Sequence, residues 1–139
     1  MTFLLDASAL LACEDARDEH YAAMRELVTR RLRLLTLDLA RYETANVAVR
    51  AWRDSAAASR LERRIAGMDA DDGVVTGDGN LVFAATALAQ LHGISVYDAS
   101  YVAAAESVGA RLVSCDVRDL VSKGLAILPG DALADADST

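Results

Sequence analysis

Four acidic residues have the types and spacing to act together: Asp6, Glu43, Asp98 and Asp116. Three of them share one local pattern. Asp6 ends the run Phe3-Leu4-Leu5, Asp98 follows Ile94-Ser95-Val96-Tyr97, and Asp116 closes Arg111-Leu112-Val113-Ser114-Cys115; each then opens a helix-prone stretch. Short apolar runs of this kind read as buried strands. In a parallel α/β sheet the carboxyl ends of the strands line one edge, where ligands bind. Glu43 is different, because it falls within a helix, on the face shared with Asn46 and Arg50. If that helix crosses the same edge, four carboxylates converge. Neighbouring carboxylates repel and raise each other's pKa, so such a cluster calls for a cation. Hard oxygen donors without histidine or thiolate suit Mg²⁺ or Mn²⁺ rather than zinc. Each acid taken alone has a plainer explanation: Asp is a preferred helix N-cap worth about 1 kcal/mol, and a lone helical Glu is usually a solvated charge. What argues for chemistry is the joint pattern.

The elements that must position these acids can be read along the chain. Residues 20–31 carry Tyr21, Met24, Leu27 and Val28 at helical spacing, and Leu34-Leu35 is a second strand. A long helix is expected from Asp38, with Leu39, Tyr42, Val49 and Trp52 on its inner side. Another spans 55–68, striped by Leu61, Ile65 and Met68. Asp71-Asp72-Gly73 is a turn before the brief strand Val74-Val75. A helix over 81–91 stops at Gly93, a natural left-handed cap. After Asp98 a helix runs to Gly109, strand 111–113 follows, then a helix to about Lys123 and a last strand, 126–128. Strands alternating with helices predict an α/β fold: a short central, mainly parallel β-sheet flanked by α-helices. The expected organisation is one domain over residues 1–130 and an acidic, disordered tail over 131–139.

Composition sets the limits. With 53% hydrophobic and 25% charged residues in 139, the chain can bury a real core, which excludes a disordered class. Only 5% is aromatic, so Ala, Leu and Val must fill that core. Two cysteines in apolar stretches, Cys13 and Cys115, make neither a disulfide framework nor a metal cluster. The stretch between Asp78 and Asp98 is nearly uncharged, but Asn80, Gln90, His92 and its glycines argue against a membrane span, and a cytoplasmic protein is expected. His92 sits at a helix end and His20 in a charged neighbourhood, so neither offers a rival base.

The same residues carry a resemblance. Phe3-Leu-Leu-Asp-Ala-Ser-Ala-Leu, Tyr42-Glu43-x-x-Asn46, Tyr97-Asp98-Ala-Ser-Tyr-Val-Ala-Ala-Ala and Leu112-Val-Ser-Cys-Asp116 look like the PIN-domain ribonucleases. In length and in the Tyr-Asp-Ala block the chain most resembles toxins of the VapC type, from bacterial and archaeal toxin–antitoxin pairs. The resemblance implies that Asp6, Glu43, Asp98 and Asp116 form an acidic quartet, with Asp6, Asp98 and Asp116 as ligands of Mg²⁺ or Mn²⁺. Asn46 and Ser114 would support it from behind. It further implies an endoribonuclease that hydrolyses RNA with a metal-activated water, a cognate antitoxin, a homodimer and a toxin–antitoxin hetero-oligomer. The rival reading is a catalytically silent PIN-fold module that only binds a protein.

The net charge of −7, taken whole, opposes an RNA substrate, since affinity for nucleic acid comes largely from phosphate neutralisation. It is unevenly spread. Residues 25–64 hold ten arginines and five acids, for +5, while the rest of the chain sums to −12. An arginine-rich arm beside a metal-filled acidic pocket would make an RNA cradle.

Overall fold

The structure is a computed structural model that describes residues 1–138. Four short strands form one sheet: β1 (Thr2–Leu5), β2 (Arg33–Leu37), β3 (Val74–Val75) and β4 (Arg111–Val113). They lie in the order β3-β2-β1-β4, and every pairing is parallel. Phe3 sits opposite Leu34 on one side and Arg111 on the other. Phe3, Leu4 and Leu5 are almost fully buried, as expected of a central parallel strand covered on both faces.

Among the described residues seven α-helices cover the sheet: α1 (Ala7–Ala12), α2 (Tyr21–Leu27), α3 (Leu39–Arg50), α4 (Ser55–Ala70), α5 (Gly79–His92), α6 (Val96–Ser107) and α7 (Pro129–Asp137). The most enclosed is α6, in which every residue from Ala99 to Ala105 is buried. A helix apolar on all sides belongs inside a protein, and the small side chains let α5 and the sheet approach closely. Gly93 ends α5 in the left-handed conformation at φ 65°, as its sequence position predicts. Among the described residues no single helix is long and apolar enough to cross a membrane.

Five expectations are corrected. Ile94-Ser95-Val96-Tyr97 is not a strand. Gly93 turns the chain, Ser95 caps α6 by accepting from the Asp98 N–H at 3.0 Å, and α5 and α6 meet at 115°. On α3 the inner stripe is Ala40, Thr44 and Ala48, while Tyr42 is 78% and Val49 54% exposed. The spacing of four places three small residues against α4, which packs tighter than rings would allow. The chain after Asp116 forms turns and a single 3₁₀ turn (Val121–Lys123), and residues 126–128 contribute only the bridge Ile127–Val113.

Finally, residues from 131 do not begin a disordered tail. Pro129 starts α7 at its first turn, Ala132 is fully buried, and the helix packs on α2. Two of its three acids are neutralised by distant arginines: Asp137 pairs with Arg30 at 2.6 Å and Asp135 with Arg111. An acidic composition reads as a tail only until those partners are placed. Residue 139 lies outside the described residues.

Candidate active site

Asp6 leaves the carboxyl end of β1 and caps α1. Its Oδ1 accepts from the Ala9 N–H at 3.0 Å and from the Ser8 hydroxyl at 2.6 Å. The residue is 5% exposed. Burial is the main reason its pKa rises from the ordinary 3.8 to about 6; hydrogen bonds from Ser114, Ser8 and Ala9 oppose the rise, and the Asp98 charge adds to it. Capping and an exceptional electrostatic environment therefore coincide in one residue.

The next strand over supplies the second wall. Ser114 is fully buried at the end of β4. Its Oγ accepts from the Asp116 N–H at 3.0 Å and lies 3.3 Å from the Ser8 Oγ, which in turn accepts from the Cys115 N–H at 2.9 Å. Two serines thus lock the loop bearing Asp6 to the loop bearing Asp116. Ser114, expected to support the acids, stands between the Ser8 hydroxyl and the Asp116 N–H. Ser8, quoted in the motif but given no role, shares that work.

Asp116 also caps its turn, accepting from the Asp119 N–H at 3.0 Å. One turn on, the Asp119 carboxylate returns to the cluster: oxygens of Asp98, Asp116 and Asp119 all lie within 4.8 Å of one another. Asp119 was not foreseen, although its spacing of three from Asp116 is the available signal. Asp98 projects from the first turn of α6. Its pKa is raised by burial first, then by Asp116 and Asp119, with Glu43 contributing and the Ser95 hydrogen bond opposing. The four acids singled out in the sequence are therefore electrostatically coupled at one edge, with a fifth beside them.

Glu43 reaches this edge from α3, where its Oε1 accepts from the Tyr101 hydroxyl at 2.6 Å. Tyr101 is 2% exposed, and burial together with Glu43 keeps its phenol firmly protonated. The hydrogen bond to a carboxylate expected of Asn46 is not made. Asn46 is exposed on the next turn of α3, and buried Tyr101, one helical turn after Asp98, makes such a bond instead. A phenol on an otherwise Ala-rich buried face must find an acceptor, which was the signal in the sequence. Tyr101→Phe leaves Glu43 without its charged hydrogen bond and is expected to destabilise the fold by about 1.5–3 kcal/mol, measured by urea unfolding.

The donor set fits a hard divalent cation. It holds carboxylate oxygens only, and the nearby Cys115 thiol is pushed up to about 12 by burial, so it is not a thiolate at neutral pH. Acids held above their usual pKa by burial and by one another are the condition that a cation relieves.

The arginine-rich stretch is largely occupied elsewhere. Arg30, Arg41, Arg60 and Arg64 pair with carboxylates, Arg33 with backbone carbonyls, and Arg25 with the Cys13 carbonyl and the Tyr21 ring. Arg31, Arg50, Arg53 and Arg63 of the ten have no hydrogen-bond, ion-pair or ring partner among the described residues. A continuous cradle is thus reduced to scattered cations, because folding pairs four of the ten arginines with carboxylates and ties two more to backbone carbonyls.

The sequence matches the PIN domain family over residues 3–123. It is 35% identical over 136 residues to Ribonuclease VapC3 of Pyrobaculum aerophilum, covering 92% of this chain and 98% of that protein. The structure is similar to the crystal structure of PAE2754 from Pyrobaculum aerophilum, with a TM-score of 0.71 and 29% identity, covering 100% of this chain and 91% of that one. A toxin–antitoxin complex from Klebsiella pneumoniae contains a chain with the same fold, with a TM-score of 0.70 and 14% identity over 91% of this chain and 96% of that one.

Proposed function

The chain belongs to the PIN-domain family, among its VapC-like members, and on that premise we propose that it is a metal-dependent endoribonuclease, the toxin of a toxin–antitoxin pair. The observation that supports this reading best is the convergence of Asp6, Glu43, Asp98 and Asp116, joined by Asp119, at the carboxyl edge of the sheet. Asp6, Asp98 and Asp116 would hold Mg²⁺ or Mn²⁺, with Asp119 beside them. When bound, such a cation acidifies water and offsets charge on the phosphate oxygens. The protein's own groups do the rest. Ser8 and Ser114 fix Asp6 against Asp116, so that the carboxylates are preorganised before substrate arrives. Tyr101 holds one oxygen of Glu43 and leaves the other free to orient the attacking water and accept its proton.

The test is cleavage of RNA by the purified chain. We expect cleavage with Mg²⁺ or Mn²⁺, its loss in EDTA and its return when the metal is restored; it should also weaken as salt rises. A chain that is inert under all of these conditions would be the silent binding module instead.

The partners follow from the same reading: an antitoxin that covers the acidic edge and a second copy of the chain, in the cytoplasm; one structure of similar fold is a toxin–antitoxin complex. An apolar hollow of about 380 Å³ is lined by Tyr42, Val82, Val96 and Tyr97, with Phe83 standing 81% exposed on α5. Exposed apolar groups gathered in one place mark an interaction surface, and a homodimer is the occupant we assign. Phe83→Asp is expected to convert dimer to monomer by light scattering while leaving the melting temperature of the monomer unchanged.

A further inference from the structure

A second cavity, of about 440 Å³, opens between the end of α2, α4 and the amino end of β2, with Leu5 of β1 at its floor and none of the clustered acids in its lining. Leu32, Leu34 and Met68 form its apolar walls, and Arg33, Arg63 and Arg64 its polar ones. Arg30 also lines it but is already held by Glu26 and Asp137, and Asp71 is the one carboxylate in the lining.

The three arginines are poorly compensated. Arg33 is pinned by donating to the carbonyls of Asp71 at 2.7 Å and Asp72 at 3.0 Å, neutral acceptors that leave its charge in place. Arg63 is exposed on α4 and has no partner among the described residues. Arg64 gives one nitrogen to Glu14 at 3.1 Å, but its Nε is buried and has no acceptor. A buried donor left without an acceptor is costly, so Glu14 does not fully satisfy Arg64.

We propose that this pocket binds a nucleotide through its terminal phosphate monoester, carried either by a free nucleoside monophosphate or by a phosphorylated RNA end. Three guanidiniums against Asp71 and a Glu14 that Arg64 shares with Arg60 leave an excess of positive charge, which calls for an anion with several acceptor oxygens. A phosphate monoester supplies nearly two charges and three oxygens, whereas a carboxylate supplies one and two. Apolar walls with a methionine suit the flat face of a base; a sugar phosphate would leave them wet. The volume falls in the range of small-molecule sites. The site is built without the acid cluster and stands whether or not the chain cleaves RNA.

The full chain in EDTA, which removes any nucleotide held through a metal at the acids, is titrated calorimetrically with AMP, adenosine, inorganic phosphate and a 5′-phosphorylated 2′-O-methyl dinucleotide. AMP or the dinucleotide should bind at least tenfold more tightly than adenosine or phosphate, and Arg63→Glu should weaken that binding at least tenfold. Tighter binding of the dinucleotide identifies an RNA end as the source; equal or weaker binding identifies the free nucleotide. The proposal is overturned if neither binds, if adenosine or phosphate binds equally well, or if Arg63→Glu binds as the native chain does.

Discussion

Asp98→Asn is expected to lower RNA cleavage by about a thousandfold, the scale on which losing one charge stabiliser at a reacting phosphate is felt. The effect should be large because Asp98 is the hub of the cluster: it lies within 4.8 Å of Asp116 and Asp119 and feels the charges of Asp6 and Glu43. Removing its charge weakens cation binding at the centre rather than at the rim. The fold should not suffer. The cap with Ser95 is made by the Asp98 backbone N–H, and Asn keeps a side-chain oxygen for the Ser95 hydrogen bond, so the variant should melt at or slightly above the native temperature. Cleavage at the native rate by this variant would refute the metal-site assignment; loss of cleavage together with loss of folding would not support it.

The second large effect concerns stability. Metal-free Asp6→Asn is expected to be more stable than the native chain at pH 7.5 by up to about 3 kcal/mol, which is what the gap between 3.8 and about 6 amounts to. The sign follows from the direction of the shift. Below pH 4 Asp6 is neutral in both folded and unfolded chains, and its favourable burial is fully present. As pH rises, the unfolded chain ionises first, so this contribution is lost progressively as pH passes through about 6. The Asn variant keeps the hydrogen bonds from Ser8 and Ala9 and never ionises. Urea titrations in EDTA across pH 4–8 should therefore show the two proteins converging in acid and diverging near neutrality, with Mg²⁺ restoring the native chain preferentially. A variant less stable than the native chain at pH 7.5 would show that burial does not strain Asp6. The exchange of stability for a charged site is the usual cost of function.

Much of this arrangement was legible in the residues. Apolar runs at Phe3–Leu5 and Arg111–Val113 place Asp6 and Asp116 at strand ends because buried parallel strands need continuous apolar stretches. Gly93 marked the end of α5, since few other residues accept φ 65°. What misled was local propensity judged without its surroundings. Ile94 to Tyr97 is β-prone, yet a Gly turn followed by a Ser cap made it a helix start. Tyr42 and Val49 are apolar, yet the close α3–α4 contact selected Ala40, Thr44 and Ala48.

By itself, then, the sequence determined the alternation of strands and helices, the family, and which acids stand at strand ends, because these depend on periodicity and on residues adjacent in the chain. Only the tertiary structure decided which groups surround those acids. Tyr101 binds Glu43 across 58 positions and Ser8 meets Ser114 across 106, distances over which no local pattern constrains a partner. The same holds for charge. The arginines of 25–64 looked like one basic arm, but packing brings Glu14, Asp69 and Asp137 onto several of them. An ion pair forms between groups close in space, and closeness in space is what folding adds.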